Sequence, residues 1–149
     1  MRAVIQRVLQ AEVTVQNDGV GRIGPGLLVY LGVGKDDCDA DAEFMADKLV
    51  NLRIFADEAG KMNRSVIDVG GQVLLISNFT LQGDCRKGRR PGFDAAGPPQ
   101  IAEPLYEKVA ALIAQQGVGV QTGSFGAHMH VSSVNDGPVT FLLDSTRLF

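Results

Sequence analysis

Two uninterrupted apolar segments constrain the fold of this chain more than any other feature of its sequence. They are Leu27-Leu28-Val29-Tyr30-Leu31 and the run from Val73 to Ile76 inside 72–77. Successive side chains of a strand point to opposite faces of its sheet, so a strand that is apolar throughout must be covered on both faces. The sequence therefore predicts two such strands, with 72–77 in the centre of the sheet.

The other predicted strands are marked by alternation or by turn residues. Apolar and polar positions alternate from Val4 to Leu9 and continue at Val13 and Val15, and the break at 17–19 predicts a strand pair closed by a turn. Strands are also expected at 118–122, 127–134 and 139–143. Asn135-Asp136-Gly137 predicts a hairpin between the last two, with Pro138 at the start of its strand.

Two segments change to helical spacing. A stripe that includes Met45, Leu49 and Leu52 predicts a helix over about 37–52, with acidic residues at its start. A second stripe, which includes Leu105 and Val109, predicts a helix over about 98–116, with proline at its start and glycine after its end. Together with the strands they predict one α+β domain over 1–149, with a mostly antiparallel or mixed, barrel-like sheet and two amphipathic helices.

Charge and composition limit the classes of function. The net charge of −3 argues against a protein that neutralises many phosphates of a long nucleic acid. The dense basic run is Arg86-Lys87-Gly88-Arg89-Arg90, so any RNA contact is expected to be local, although a solvated loop is an equal alternative. No long apolar run or secretory leader is seen, and Cys38 and Cys85 form no CxxC pair, which leads us to expect a cytoplasmic protein without a membrane span.

Several motifs fail on inspection. Asp37, Asp39 and Asp41 mimic a calcium loop, but Ala42 stands where glycine is needed. The segment 32–35 lacks the first glycine and the Ser or Thr of a phosphate loop. The two histidines, His128 and His130, alternate with Met129 on the predicted strand, so they are expected to face away from any pocket that Met129 lines. No metal, no cofactor and no side-chain triad is therefore predicted.

Six segments, taken in order, resemble the D-aminoacyl-tRNA deacylase family over nearly the whole chain. They are Met1-Arg2-Ala3-Val4-Ile5-Gln6-Arg7-Val8, Gly60-Lys61-Met62-Asn63, Ser77-Asn78-Phe79-Thr80-Leu81, Lys87-Gly88-Arg89-Arg90-Pro91, Gly123-Ser124-Phe125-Gly126-Ala127-His128-Met129 and Asn135-Asp136-Gly137-Pro138-Val139-Thr140. The resemblance implies a homodimer that hydrolyses the ester between a D-amino acid, or glycine, and the terminal adenosine of tRNA. Two departures are Asn78 in place of the usual glutamine and Gly92 in place of serine.

The resemblance also implies roles for particular residues. Ser77 and Thr80 would lie at the reaction centre, and a cis Gly137-Pro138 pair would enter the pocket of the other subunit and select chirality. The residues expected to bind the adenosine and the amino acid are Asn78, Phe79, Ala102, Phe125 and Met129. The cations expected to meet acceptor-stem phosphates are Arg86, Lys87, Arg89 and Arg90. Ser77 and Phe79 are expected on one face of a strand, with Thr80 at its end.

The chemistry is consistent with a site that lacks a strong base. An aminoacyl ester is already activated, so positioned water and backbone N–H groups can suffice. The family's mechanism, as the resemblance implies it, adds the 2′-OH of the terminal ribose, whereas Thr80 as nucleophile is the weaker alternative. A rigid wall would reject L side chains and admit glycine. Two hypotheses compete with this one: a noncatalytic module that binds the RNA 3′ end, and a dimeric interaction protein without an RNA partner.

Overall fold

A mixed β-sheet organises the protein, and the computed structural model describes residues 1–148. In chain order the elements are β1 (Arg2–Val15), β2 (Asp18–Ile23), β3 (Gly26–Gly32), α1 (Asp39–Asn51), β4 (Phe55–Ala56), β5 (Met62–Arg64), β6 (Gln72–Ser77), a 3₁₀ helix (Phe79–Gln82), α2 (Pro99–Gln115), β7 (Gly119–Thr122) and β8 (His130–Asp144). The short strands β4 and β5 form a separate hairpin around the predicted turn at 57–61.

The large sheet is nearly closed. Its strands follow the order β2-β1-β3-β6-β7, and β8 pairs with the other edge of β1. Strand β1 is antiparallel to all of its partners, whereas β3, β6 and β7 run parallel. The ends of the path approach each other, because a Cβ added to Gly21 of β2 would lie 2.7 Å from the carbonyl oxygen of Thr122 in β7. The predicted α+β class with a mixed, barrel-like sheet and two helices is confirmed.

The two apolar strands lie inside the molecule, as their sequence predicts. In β3, Leu27 and Val29 pack into the core shared with the helices, and the intervening Leu28 packs with Leu74 of β6 into a second apolar cluster. All four side chains are fully buried. Strand β6 lies between β3 and β7, so its predicted central position is confirmed. Each face of these strands thus contributes to a different core.

Both helices occur where helical spacing predicts them. Helix α1 begins two residues later than expected, after Cys38 at its N-cap, and α2 spans Pro99–Gln115 with proline at its first position. Lys108 of α2 forms ion pairs with Asp39 and Glu43 of α1, at 3.1 Å and 3.3 Å, on the exposed side of their contact. Neither helix within residues 1–148 has the length and apolar character needed to cross a membrane.

The first turn lies slightly earlier than the sequence suggests. Residues 2–15 form one long strand, and the reversal occurs at Gln16 and Asn17, whose φ angles are 51° and 71°. Two successive positive φ values are the geometry that joins tightly paired antiparallel strands. The predicted strand pair is confirmed, but Asp18 and Gly19 belong to β2 rather than to the turn.

The predicted hairpin at Asn135-Asp136-Gly137 is wrong. Residues 130–144 form the single strand β8, and both of its halves pair with β1. Between the pairs Gln6↔Thr140 and Val8↔Asn135 the register shifts, so that β8 contributes extra residues and bulges outward without reversing. The Asn135 side chain spans this bulge, accepting a hydrogen bond from Val139 N at 2.9 Å and donating to Thr140 Oγ1 at 3.1 Å.

Candidate active site

A pocket of about 490 Å³ opens where β3 and β6 end and α2 begins. Its walls come from Tyr30, Leu31, Val33, Ile76, Ser77, Asn78, Phe79, Gly97, Pro99, Ala102, Tyr106, Phe125, Gly126, Ala127, His128, Met129 and Val131. Clefts of this size with mainly apolar walls and a few polar groups are typical sites for small ligands. The predicted residues Ser77, Asn78, Phe79, Ala102, Phe125 and Met129 all lie along it.

The segment that follows β6 does not continue as a strand. Strand β6 ends at Ser77, and a 3₁₀ helix begins at Phe79 after Asn78 as its N-cap. The expectation that Ser77 and Phe79 share a strand face is therefore wrong, because the Asn78 side chain accepts from the Thr80 N–H and favours a helical turn over further pairing. Asn78 N still donates to Leu31 O at 2.8 Å, which fixes the turn against the end of β3.

Thr80 lies outside the pocket wall and its hydroxyl is already engaged. Its Oγ1 donates to Asn78 Oδ1, and its backbone N–H donates to the same oxygen at 3.2 Å. The short asparagine in place of glutamine thus serves as the cap of the 3₁₀ helix. Phe79 N–H, in contrast, donates to no acceptor among residues 1–148. The Phe79 N–H is therefore free to donate to a ligand, whereas the Thr80 hydroxyl already donates to Asn78.

Helix α2 contributes a small residue and a tyrosine one turn apart. Ala102 leaves space in the pocket, and Tyr106 packs beside Phe125 with ring centroids 5.9 Å apart. The Tyr106 hydroxyl donates to Leu75 O at 2.7 Å in the interior. Burial raises the pKa of Tyr106 to about 12, and burial also raises the pKa of Tyr30. Both tyrosines are therefore neutral near pH 7 and supply no base.

Met129 and His128, in the segment just before β8, form another part of the pocket wall. A Cβ on Gly123 would lie 2.5 Å from the Met129 sulfur, so the missing side chain lets Met129 approach the end of β7. The expectation that the histidines face away from the pocket is wrong for His128, which lines it. Strand β8 begins only at His130, so the alternation assumed for 127–131 does not apply at position 128. The His128 and His130 rings pack edge to face, with their centroids 5.2 Å apart.

Gly137 and Pro138 are absent from the walls of this pocket. Their peptide bond is cis, both residues are exposed, and they lie in the bulge of β8 opposite β1. Arg7 of β1 links the bulge to the segment after α1. Its Nη1 donates to Ile54 O at 2.7 Å, and its Nε lies 3.0 Å from a carboxylate oxygen of Asp136. The pair is thus presented on the surface, away from the pocket of its own chain.

The basic run lies in an exposed loop, residues 84–92, which we call the basic loop. Two hydrogen bonds close its base, from Asp84 N to Gly92 O at 2.7 Å and from Gly92 N to Asp84 O at 2.9 Å. Arg86 donates to both carboxylate oxygens of Asp84, and these hydrogen bonds lower the pKa of that carboxyl. Among residues 1–148, no carboxylate lies within 4.0 Å of the remaining cations, Lys87, Arg89 and Arg90.

Sequence reasoning missed several residues of the wall. Tyr30 lies in β3 and Val33 directly follows it, and neither belongs to a motif. They reach the pocket because β3 pairs in parallel with β6. Tyr106 could have been found, because it lies four residues after Ala102 on the same face of α2. Within the described chain, residues 1–148, no three His, Cys, Asp or Glu side chains gather where they could hold a metal ion.

Comparisons with known proteins agree with this geometry. The family model described as D-Tyr-tRNA(Tyr) deacylase matches residues 4–144. The chain is 58% identical to a D-aminoacyl-tRNA deacylase of Thermotoga petrophila over 149 residues, the full length of both. A solved structure titled c-Myc DNA Unwinding Element Binding Protein has a TM-score of 0.91 and 40% identity, covering 97% of this chain and 98% of its own. A probable eukaryotic D-amino acid tRNA deacylase shares the fold, with a TM-score of 0.81, 20% identity and coverage of 95% and 97%.

Proposed function

The chain belongs to the D-Tyr-tRNA(Tyr) deacylase family, and from that membership we propose how its pocket binds and hydrolyses its substrate. Its enzymatic activity is that of the family, hydrolysis of the ester that joins a D-amino acid to tRNA. In the proposal the pocket holds the terminal adenosine and the ester, and a second subunit supplies the element that rejects L-amino acids. The observation that carries it is that Ser77, Phe79, Ala102, Phe125 and Met129 converge on one cleft.

The walls of the pocket fit an aminoacylated nucleoside. Phe79 and Phe125 offer aromatic rings of the kind that stack on unpaired RNA bases, and the small side chain of Ala102 on α2 lines the same pocket. The amino acid would lie near Ser77 and Met129. Few polar side chains line the cleft, so the ester would be held mainly by shape and by backbone groups.

The proposed mechanism uses the substrate's own hydroxyl. The 2′-OH of the terminal ribose would assist the attack of water on the ester carbonyl, and the unpaired N–H of Phe79 offers a donor to the oxyanion. Within the described walls of the pocket, His128 carries the one imidazole, the side-chain group that most often acts as a general base. Its exposure and its packing against His130 favour a role at the mouth rather than at the ester.

Chirality would be selected by exclusion across a homodimer. Because Gly137 and Pro138 lie outside the pocket of their own chain, they can form a wall only for another copy. The open edge of β8 supports such a dimer: within residues 1–148 this 15-residue strand pairs with β1 alone. Leu142 on β8 and Leu9 on β1 are more than half exposed, and a long exposed edge with apolar side chains calls for a covering partner.

A turnover assay tests this function directly. Purified protein is expected to hydrolyse D-tyrosyl-tRNA and glycyl-tRNA but not L-tyrosyl-tRNA, because the proposed wall clashes with an L side chain and glycine has none. The measurement is release of labelled amino acid, corrected for spontaneous hydrolysis of each ester. Hydrolysis of the L-ester at a rate comparable to that of the D-ester would contradict selection by exclusion. Tight binding without turnover of any ester would instead indicate a noncatalytic module.

The basic loop is proposed to contact phosphates of the acceptor stem. Changing Lys87, Arg89 and Arg90 to Gln is expected to flatten the dependence of tRNA affinity on salt, because each lost phosphate contact removes about 0.7–0.9 from the log–log slope. The slope should therefore fall by about 2–3 when the Kd for tRNA is measured over a salt series.

The matched control removes the same charge elsewhere. Lys48, Arg53 and Lys61 lie on α1 and near the β4–β5 hairpin, outside the basic loop, and their change to Gln should leave the slope as it is. An equal flattening in both triple variants would show that only net charge matters and would contradict contacts by the loop. Arg86 is left in place because Asp84 already binds it.

A further inference from the structure

Two exposed aromatic rings stand side by side at the rim of the pocket. Phe79 and Phe93 have ring centroids 5.2 Å apart with planes inclined at 62°, and their exposed fractions are 58% and 39%. Phenylalanine is usually buried, so two adjacent exposed rings mark a surface that a ligand covers. Phe79 lines the pocket, whereas Phe93 does not, so the pair extends outward from the pocket. We call Phe79 and Phe93 the aromatic ledge.

The ledge is held in place by backbone structure. Gly83 lacks a side chain where a Cβ would lie 3.1 Å from the Phe93 ring, so the ring can rest directly on the chain. Phe93 also follows Gly92, whose N–H donates to Asp84 O and whose carbonyl oxygen accepts from Asp84 N at the base of the basic loop. The ring is thus fixed between the pocket and a loop that carries three cations without carboxylate partners in the described chain.

We propose that Phe93 stacks on the base of the nucleotide that precedes the terminal adenosine, and so forms a second nucleotide subsite. This inference rests on the proposed function, since it needs an unpaired tRNA 3′ end in the pocket. The ring separation of 5.2 Å exceeds the rise of about 3.4 Å per nucleotide in a stacked strand. Two bases on the two inclined rings would therefore be splayed apart, as proteins that bind single-stranded RNA hold them.

The neighbouring charge favours a nucleotide over another apolar partner. A base on Phe93 would bring its own phosphate toward the basic loop, where Lys87, Arg89 and Arg90 lie. An uncharged apolar partner would gain nothing from this concentration of cations, whereas the phosphates of a nucleotide strand would. Aromatic side chains beside a positively charged groove are the combination that binds single strands without regard to sequence.

A double-mutant cycle between Phe93 and the base tests the subsite. The substrates are D-tyrosyl-tRNA with its normal 3′ end and the same tRNA with an abasic penultimate nucleotide. Phe93→Leu is expected to lower kcat/KM on the normal substrate about tenfold, as is removal of the base for the wild-type protein. The two changes together should cost no more than about twice either one alone, because they remove one interaction. Phe93→Tyr keeps a ring and should retain wild-type activity.

The controls separate stacking from other effects. Phe44→Leu removes a ring from the surface of α1, away from the pocket, and should show no coupling to the base. The abasic substrate with wild-type protein tests the subsite even if Phe93→Leu fails to fold. Independent losses that multiply to about a hundredfold, or no loss on the abasic substrate, would overturn the proposal. So would dissociation of a dimer by Phe93→Leu with equal losses on both substrates, since the ledge would then bind a second copy.

The outcome also distinguishes this proposal from the one it rests on. If wild-type protein hydrolyses D-tyrosyl-tRNA and the cycle shows no coupling, the second subsite is wrong and the proposed function stands. If wild-type protein hydrolyses neither substrate, both are wrong.

Discussion

Replacing the 2′-OH of the terminal ribose by hydrogen is expected to lower the rate of D-tyrosyl-tRNA hydrolysis by about 10²–10⁴-fold. That range is the usual contribution of a positioned proton-transfer group, and the pocket offers few substitutes for it. Tyr30 and Tyr106 hold their protons because burial raises the pKa of each, that of Tyr106 to about 12. The Thr80 hydroxyl lies outside the wall and donates to Asn78.

The measurement compares tRNA ending in adenosine with tRNA ending in 2′-deoxyadenosine, each carrying D-tyrosine on its 3′-oxygen. Each enzymatic rate is divided by the spontaneous rate of the same ester, because the hydroxyl also affects uncatalysed hydrolysis. Thr80→Ala should lose less than about tenfold, because it removes one hydrogen bond, from Thr80 Oγ1 to Asn78 Oδ1, while the Thr80 N–H still donates to the Asn78 cap. His128→Gln should likewise retain activity within a few-fold.

The opposite pattern would change the mechanism. If the deoxy substrate reacts at a normal rate and Thr80→Ala is inactive, Thr80 is the nucleophile and its hydrogen bond to Asn78 must break on binding. If His128→Gln alone removes activity, the imidazole at the pocket wall is the base. Single-turnover rates with saturating enzyme would separate these chemical effects from losses in binding.

Gly137→Ala is expected to reduce discrimination between D-tyrosyl-tRNA and L-tyrosyl-tRNA by at least about tenfold. Gly137 has a φ of 133°, which side chains rarely adopt, and an added Cβ would lie 2.7 Å from Val139 Cγ2 and 3.0 Å from Val139 N. The bulge must therefore move, and Pro138 moves with it. The proposed wall would then no longer stand at a fixed distance from the substrate of the other subunit. A cost in the free energy of unfolding of about 1–3 kcal/mol should accompany the change.

A matched variant separates backbone strain from the loss of the wall. Gly60 also has a positive φ, 77°, but nothing lies within 4 Å of its Cβ position and it belongs to the turn between β4 and β5. Gly60→Ala should cost about 1–2 kcal/mol in the free energy of unfolding and leave the D-to-L rate ratio unchanged. The free energies come from denaturant unfolding, and the ratio comes from kcat/KM on the two esters. An unchanged ratio in Gly137→Ala would contradict the wall.

Local spacing was sufficient for some elements because one physical effect dominates each of them. Uninterrupted apolar side chains in β3 and β6 require cover on both faces. Helical spacing with a proline at the start predicts a helix over 98–116, and α2 begins and ends within one residue of these bounds. Local spacing did not predict the residues of the pocket. Ala102, Phe125 and Met129 came from the resemblance to a family, since nothing in their local pattern distinguishes a pocket wall from a core.

Two of the wrong predictions share a cause, which is that side-chain contacts decided between two acceptable local conformations. Asn135-Asp136-Gly137 has the composition of a hairpin, yet the Asn135 side chain and the pairing of both flanks with β1 keep β8 running in one direction. Asn78 could have continued β6, but its side chain caps a 3₁₀ helix and turns Phe79 toward the rim. Position 128 lies before β8, so strand alternation gave the wrong face.

The sequence by itself determined the interior strands, the two helices and the family, because apolar period, helix-start residues and six ordered motifs are all local or additive properties of the chain. Only the tertiary structure decided which of these residues meet. The parallel pairing of β3 with β6 brings Tyr30 beside Ile76 and Leu31 beside Ser77, and the bulge in β8 places Gly137 and Pro138 outside their own pocket. Such contacts depend on long-range pairing, whose register no local pattern specifies.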